Sequence, residues 1–311
     1  MEIEQWDAII VGGGSAGLSA ALALVRARRR VLVLDAGAPR NGVAAHMHGV
    51  LGRDGWSPLT LLETGRGEVR SYGGEVRSAE VTGAVKSDEG FVVSLSDGGR
   101  HRGRRMLVAT GLRDEMPDIP GLAQHWGTSA VVCPYCDGWE VRDQRIAVLL
   151  TEPMSAQQAQ LLRQWSPRVT FITDGQDVPD EIRRELVARG IVVEDRAVAG
   201  VVTDDTGGLQ AIRFTDGTLI DINSIFFRSG VRPNDDLLVR LGAVRDEGPD
   251  GAWVRVDATG LTSVPGLWAV GNVVSSSANV PVSMASGSVA GATINGDLIK
   301  EEIRAALAQA G

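Results

Sequence analysis

Residues 7–37, DAIIVGGGSAGLSAALALVRARRRVLVLDAG, read as strand, glycine turn, helix and strand, an order that commits a chain to a parallel α/β sheet. Ala8–Val11 is a short apolar run, and Gly12, Gly14 and Gly17 follow it at the spacing G-x-G-x-x-G. A helix of small apolar residues comes next, then Val31–Leu34 closes on Asp35. Each part has a use in holding a dinucleotide. Gly12 permits the tight turn, Gly14 lets backbone approach a pyrophosphate, and Gly17 lets the helix pack on the strand. Asp35 can accept from ribose hydroxyls. Three glycines alone could equally be a packing turn; strand, helix and acid in register favour the dinucleotide site.

A second copy of the pattern lies in the middle of the chain. RIAVLLTEPMSAQQAQLLRQWSPRVTFITDG aligns without a gap when the first unit is moved by 138 residues, so that Val11 meets Leu149 and Val31 meets Val169. The ligand-binding residues do not survive the copy. Gly12, Gly14 and Gly17 become Leu150, Glu152 and Ser155, and Asp35 becomes Thr173. Glu152 would place a carboxylate where a pyrophosphate should sit, and like charges a few ångströms apart in a poorly hydrated site repel by on the order of several kcal/mol. No arginine follows the second strand to meet a 2′-phosphate. The expectation is a nucleotide-binding scaffold that has lost its nicotinamide cofactor; a different loop that still admits NADPH is the competing reading.

Two further strands run into glycine, at Arg104–Gly111 and at Gly266–Asn272, and a helix of small residues follows the latter. The expected fold is therefore α/β: two Rossmann-like, three-layer nucleotide-binding domains, the second inserted in the first. The first would comprise residues 1–115 and 241–311 and the insert residues 116–240. The formal net charge is 31 − 39 = −8. No long basic run appears, and the short cluster Arg26–Arg30 reads as the solvated face of a helix, so nucleic acid and anionic membranes are not expected partners. No signal segment or membrane span is evident, and a cytoplasmic protein is expected.

The chain has two cysteines, and they stand together in Cys133-Pro134-Tyr135-Cys136-Asp137-Gly138. This spacing lets the sulfurs close into a disulfide that takes up or gives two electrons, and Asp137 is placed to move protons to and from a departing thiolate. Zinc would need two more ligands, and His46, His48, His101 and His125 are scattered. No metal is expected. Two inert core thiols remain an alternative, disfavoured by the turn-forming residues around them.

Taken together, GGGSAG, VATG, CPYCDG, the altered turn and GLWAVGN resemble the low-molecular-weight thioredoxin reductase family over nearly the whole chain. That resemblance implies FAD, a catalytic set of Cys133, Cys136 and Asp137, and homodimers whose domains hinge. Cys136 would lie next to the flavin, and Cys133 would meet the external substrate. It implies further that Gly12, Gly14, Ser15, Ala16, Gly17, Asp35 and Ala36 hold the ADP half of FAD, with Val81 at the adenine. Arg40, Asn41, His48, Ala109, Thr110, Gly111, Gly271, Asn272 and Val280 would complete the cofactor site. The family's Gly-Asp becomes Gly271-Asn272, and its Arg-Gln becomes Asn279-Val280. Pro39–Gly55, PRNGVAAHMHGVLGRDG, looks more like the dithiol oxidases that close disulfides in natural products such as holomycin and gliotoxin. The leading expectation is thus an FAD-dependent dithiol oxidase acting on a small-molecule dithiol with O2 as acceptor. A reductase of thioredoxin or a small disulfide, supplied by NADPH or a ferredoxin, is the alternative; a flavin redox sensor without turnover is the third. His48 and His125 are candidates for proton transfer, and for each a solvated or merely hydrogen-bonding role stands beside that one.

Overall fold

The computed structural model describes residues 4–248 and 251–310. The chain divides into two compact units, one built from Met1–Gly42, Pro58–Arg113 and Val231–Gly311, the other from Val43–Ser57 and Asp114–Gly230.

In the first unit, Glu4–Val11 pairs in parallel with Val31–Asp35 on one side and Arg100–Val108 on the other. Glu75–Ser78 extends the sheet beyond Val31–Asp35, and Leu267–Ala269 joins Arg100–Val108, both in parallel. An antiparallel meander, Val81–Ser87 and Gly90–Leu95, completes seven strands. The central strands are apolar along their length because both faces are covered. Ala8, Ile10, Val31 and Val33 face a helical layer, while Ile9, Val11, Leu32 and Leu34 face the layer of Phe91, Val93, Leu238 and Val254. The helical layer rests on close backbone contact between Ser15–Arg26 and the C-terminal helix Val280–Ala310. A Cβ at Gly287 would run into the carbonyl of Ala16, and one at Gly291 would lie 2.6 Å from that of Ala20. Glycines four apart share a helix face, so the two helices meet without side chains between them.

The second unit repeats the plan. Val192–Glu194, Arg168–Ile172, Arg145–Leu149, Ser224–Phe226 and Ala130–Val131 form a parallel sheet in that order. Ile146 and Val148 pack under the helices Ser155–Leu162 and Asp180–Ala188, and Ala147 and Leu149 under an antiparallel sheet of Val198–Thr203, Leu209–Phe214 and Leu219–Asp221. The duplication is visible bond by bond: Gly12 N donates to Leu34 O at 2.8 Å, and Leu150 N donates to Ile172 O at 2.8 Å, each pair displaced by 138 residues. The helices do not keep this register, since the second begins at Ser155 rather than at position 153, two residues late.

Three features differ from the sequence expectation. The helix that was to carry Arg26–Arg30 ends at Arg26; Arg28 is left-handed, with φ 63°, and turns the chain into the next strand. Arg29 is drawn instead onto Glu302 and Asn295, and Arg30 lies over the Trp6 ring. Residues 231–240 belong with the first unit, because Asn234 N donates to Gly111 O at 2.9 Å and Thr110 Oγ1 donates to Asn234 O at 2.7 Å. Residues 43–57 belong with the second, where Val43 packs against the bare Cα of Gly127. Among the described residues no helix is long and apolar enough to cross a membrane.

The C-terminal helix is also held by charge. Arg104 donates to Asp7, Glu301 and Glu302, Arg105 to Asp297 and Glu301, and Arg29 to Glu302. The Arg29 and Arg104 guanidiniums hold the Glu302 carboxyl down at about 2, below its ordinary 4.5. A depressed carboxylate contributes stability that is complete above its unfolded pKa and lost as pH falls through the folded one. Glu302→Gln should therefore lower the thermal midpoint at pH 7 by a small amount, because the side chain is half exposed. Calorimetry should show that difference shrinking between pH 4.5 and 2, where wild type loses the same charge.

Candidate active site

The first turn is shaped by backbone before any side chain acts. Gly12 has φ 105° and sits against the Ala109 carbonyl, and a Cβ at Gly17 would drive into the Gly12 carbonyl. Gly13, which the motif does not single out, donates its N–H to Asp35 Oδ1 at 3.1 Å. A Cβ there would stand 2.7 Å from the Asp35 carboxyl. The other Asp35 oxygen accepts from Arg66 at 3.0 Å. Asp35 is thereby fixed in orientation, while each oxygen keeps a lone pair for a ribose hydroxyl. Arg66 had no signal in the sequence; it lies on the helix Pro58–Ser71, and the fold brings it to Asp35.

Gly14 differs from its neighbours. Its φ is −75°, open to any residue, and a Cβ on it would meet nothing within 4 Å. Packing within the protein does not require glycine there, so the space is left for something outside the chain. Ser15 and Ala16 open the helix behind it, with no side-chain cap and no acid in the first turn. Their N–H groups and the helix dipole are free to meet an anion.

The remaining cofactor candidates surround this turn or lie along the same unit. Ala109 N donates to Val11 O at 2.7 Å, and Gly111 turns with φ 71°. Thr110 spends its hydroxyl on Asn234. Gly271 has φ 74°, and a Cβ on it would stand 3.0 Å from the Ala16 methyl. Asn272 Nδ2 donates at 2.9 Å to the carbonyls of both Ser275 and Ala278, and its Oδ1 accepts from Arg40 at 3.4 Å. An aspartate could not make the two donations, which accounts for Asn at this place. Asn279 accepts from Val282 N at 3.1 Å and caps the last helix, whose first residue is Val280. Val81 begins its strand half-buried; Asn41 is half-buried and Ala36 exposed.

In the second unit the corresponding turn is closed upon itself. Ser155 Oγ accepts from both Thr151 N and Glu152 N, each at 3.1 Å, and so occupies donors that a pyrophosphate would use. The Glu152 carboxylate projects beside them and is paired with Arg228 at 2.9 Å. Ser155 and Arg228 complete the closure of this turn in ways the motif comparison did not foresee.

The same unit carries the cysteines, joined as a disulfide with Cα atoms 5.2 Å apart at the start of a single turn, Pro134–Asp137. Pro134 takes the first helical position, where its missing N–H is no loss. Cys136 N donates to Cys133 Sγ at 3.2 Å. Behind the turn, a Cβ at Gly138 would meet the Trp165 ring at 2.9 Å, and Tyr135 stands edge-on to the same ring. Gln158, buried, donates to the Val132 carbonyl at 2.8 Å and holds the peptide leading into Cys133. Burial raises the Asp137 carboxyl to about 6; the Glu140 carboxylate adds to the rise and His48 opposes it. The His48 ring nitrogens face Asp54 at 3.4 Å and Glu140 at 3.3 Å. His125 is different: it is buried, bonded through Nε2 to Thr203 Oγ1 at 2.9 Å, and its imidazole is pushed below the usual range by burial. It is a packing residue. Tyr135 and Trp139 are exposed, and Trp126 packs on Phe227.

Residues 6–287 match the pyridine nucleotide-disulphide oxidoreductase family. The chain belongs to that family. Thioredoxin reductase tcpT of Claviceps purpurea (strain 20.1) is 33% identical over 309 residues, 95% of each chain. Thioredoxin reductase sirT of Leptosphaeria maculans is 30% identical over 93% of each. The solved structure of HlmI matches with a TM-score of 0.93 at 44% identity, covering 98% of this chain and 96% of that one. An oxidoreductase from Agrobacterium tumefaciens matches with a TM-score of 0.89 at 34% identity, covering 95% and 99%. This pyridine nucleotide-disulphide oxidoreductase is thus thioredoxin reductase-like, an enzyme whose family implies FAD. The first turn fits that group: an open glycine, unspent N–H donors and an oriented Asp35 stand where a dinucleotide needs them. In the second turn two backbone donors are taken by Ser155 Oγ and the Glu152 carboxylate is paired with Arg228.

Proposed function

We propose that this oxidoreductase is an FAD-dependent dithiol oxidase that closes a disulfide in a small molecule and delivers the electrons to O2. The observation that carries the reading is the second turn, where Ser155 and Glu152 take the place a nicotinamide pyrophosphate would need. Electrons then enter from a thiol substrate rather than from NADPH. The likeness of Pro39–Gly55 to dithiol oxidases supports the same direction. The relatives named as thioredoxin reductases support the opposite one, so the direction of flow is what the experiment must read.

Oxidation begins when a substrate thiolate attacks Cys133 Sγ. The Cys133–Cys136 bond breaks, and Cys136 leaves as a thiolate. The second substrate thiol, deprotonated, attacks the substrate sulfur of the mixed disulfide and releases Cys133. The substrate has then lost two electrons and two protons, and the cysteine pair holds the two electrons. Cys136 N–H, aimed at Cys133 Sγ, stabilises negative charge on that sulfur and makes it a better leaving group. Asp137 is ionised above about pH 6 and accepts a proton from an attacking thiol. FAD, held at Gly12–Gly17 and Asp35, supplies the two-electron acceptor that returns the pair to a disulfide.

Anaerobic absorption spectra of the purified yellow protein test the direction. Dithiothreitol should bleach it and air should restore it with formation of peroxide, whereas NADPH should leave it unchanged. Prompt bleaching by NADPH would overturn the proposal in favour of a disulfide reductase. Asp137→Asn should slow the bleaching by dithiothreitol about 10²- to 10⁴-fold at pH 7.5. It should also remove the fall in rate that wild type shows below about pH 6, as followed by stopped-flow absorbance.

A further inference from the structure

The segment 43–57 is tightly folded and brings a second titratable centre to the cysteine motif. Met47 N donates to Trp56 O at 2.8 Å and Gly55 N to Met47 O at 2.9 Å, closing the loop. Gly49 N donates to Asp54 Oδ1 at 2.8 Å. The two histidines of this loop are used differently. His46 faces a carbonyl, that of Gly55, at 3.0 Å. His48 faces carboxylates with both nitrogens: Nδ1 lies 3.4 Å from Asp54 Oδ2 and Nε2 lies 3.3 Å from Glu140 Oε1. Glu140 stands three residues after Asp137, just beyond the helical turn that carries the disulfide. His48 is the least exposed of the three side chains, at 25%, against 42% for Glu140 and 67% for Asp54.

A neutral imidazole carries one N–H and can donate to one carboxylate only. With an acid on each side, an imidazolium ring donates to both and a neutral ring to one. Asp54 and Glu140 face the ring, and Glu140 and His48 are the charges felt at Asp137. Two protons come off the substrate thiols in each turnover under the dithiol oxidase reading, on which this inference rests. Asp137 can hold one. A second must find another group, and the first must be cleared before the next cycle.

We propose that His48, bridged between Glu140 and Asp54, is the proton outlet of the cysteine site, taking protons from Asp137 and releasing them to solvent at Asp54. His48 acts through Asp137 and need not touch the reacting sulfurs. Its charge beside Asp137 also favours the ionised carboxylate, so the ring keeps the base ready as well as emptying it.

The test uses the FAD-loaded protein labelled with 13C at the aspartate carboxyls, with Asp137→Asn to assign the Asp137 signal. The Asp137 titration midpoint should lie near 6 in wild type and move up by about one unit in His48→Gln. The acid limb of anaerobic dithiothreitol oxidation should move with it, so that the rate at pH 6.5 falls severalfold. Asp54→Asn keeps an oxygen for the Gly49 N–H and so spares the loop. It should leave KM for dithiothreitol unchanged, lower kcat, and raise the solvent deuterium isotope effect on kcat. If His48→Gln does not fold, the Asp54→Asn kinetics decide alone. An unmoved Asp137 midpoint, or an unmoved isotope effect in folded Asp54→Asn, overturns the outlet. If wild type is not bleached by dithiothreitol, the oxidase reading fails separately, and the carboxyl titration still reports whether His48 is coupled to Asp137.

Discussion

Cys133→Ser and Cys136→Ser should each abolish dithiol-driven turnover, by on the order of 10³-fold or more, while the purified protein stays yellow. Of the flavin candidates all but His48 belong to the first compact unit, and neither sulfur contributes to the turn at Gly12–Gly17 or to Asp35. The substitutions therefore separate binding of the cofactor from use of the cysteine pair. With Cys133→Ser no mixed disulfide can form at the position assigned to substrate attack. With Cys136→Ser the remaining Cys133 thiol has no partner to reform the disulfide, so a group that it takes from an added small-molecule disulfide is not displaced by a second enzyme thiol. Mass spectrometry after exposure to an oxidised small-molecule disulfide should then show one adduct on Cys136→Ser, carried by Cys133, and slower labelling of Cys133→Ser. Unchanged turnover in either variant would remove the cysteine chemistry from the proposal.

The second large effect concerns the helix crossing behind the first turn. Gly17→Ala should give a protein that is purified with little or no flavin and melts about 5 °C or more below wild type, because the new methyl meets the Gly12 carbonyl and the strand–helix contact must open. Gly287→Ala should do the same by a different route, since its methyl meets the Ala16 carbonyl across the helix pair. Gly14→Ala is the informative contrast. With φ −75° and an unobstructed Cβ, it should melt close to wild type yet bind FAD more weakly, measured as flavin released per chain on dilution. Equal loss of stability in all three would mean that Gly14 serves packing and that its open space is not a ligand cradle.

The first βαβ unit and its copy were legible because their glycines, apolar runs and terminal acid recur at fixed spacing, and spacing is a local property. The same locality explains what was hidden. Arg26–Arg30 looks helical by pattern, but Glu302 and Asn295, more than 260 residues away, capture Arg29 once the helix has ended. Position 155 reads as a lost glycine; only the folded turn shows its hydroxyl taking two amide donors. His48 was noticed in the sequence without a partner, since Glu140 lies 92 positions later in the chain. Asn272 looked like a weakened aspartate and is instead a donor to two loop carbonyls. For Arg29 and His48 the contact that gives the residue its meaning is distant in sequence, whereas for Ser155 and Asn272 it lies within six positions and depends on how the local turn folds.

The first unit is assembled from three separated stretches, and its opening helix is packed against the last one, Ala16 on Gly287 and Ala20 on Gly291. During synthesis the N-terminal strand and helix emerge first but have no partner for their small-residue face until the final helix leaves the ribosome. The second unit has all of its strands once Gly230 has been made, so it can fold while the first is still incomplete. If flavin is held as proposed, by Gly271 as well as Gly12, its loading is a late event in the life of each chain. Truncated products, however complete at their N-terminus, should emerge from translation colourless.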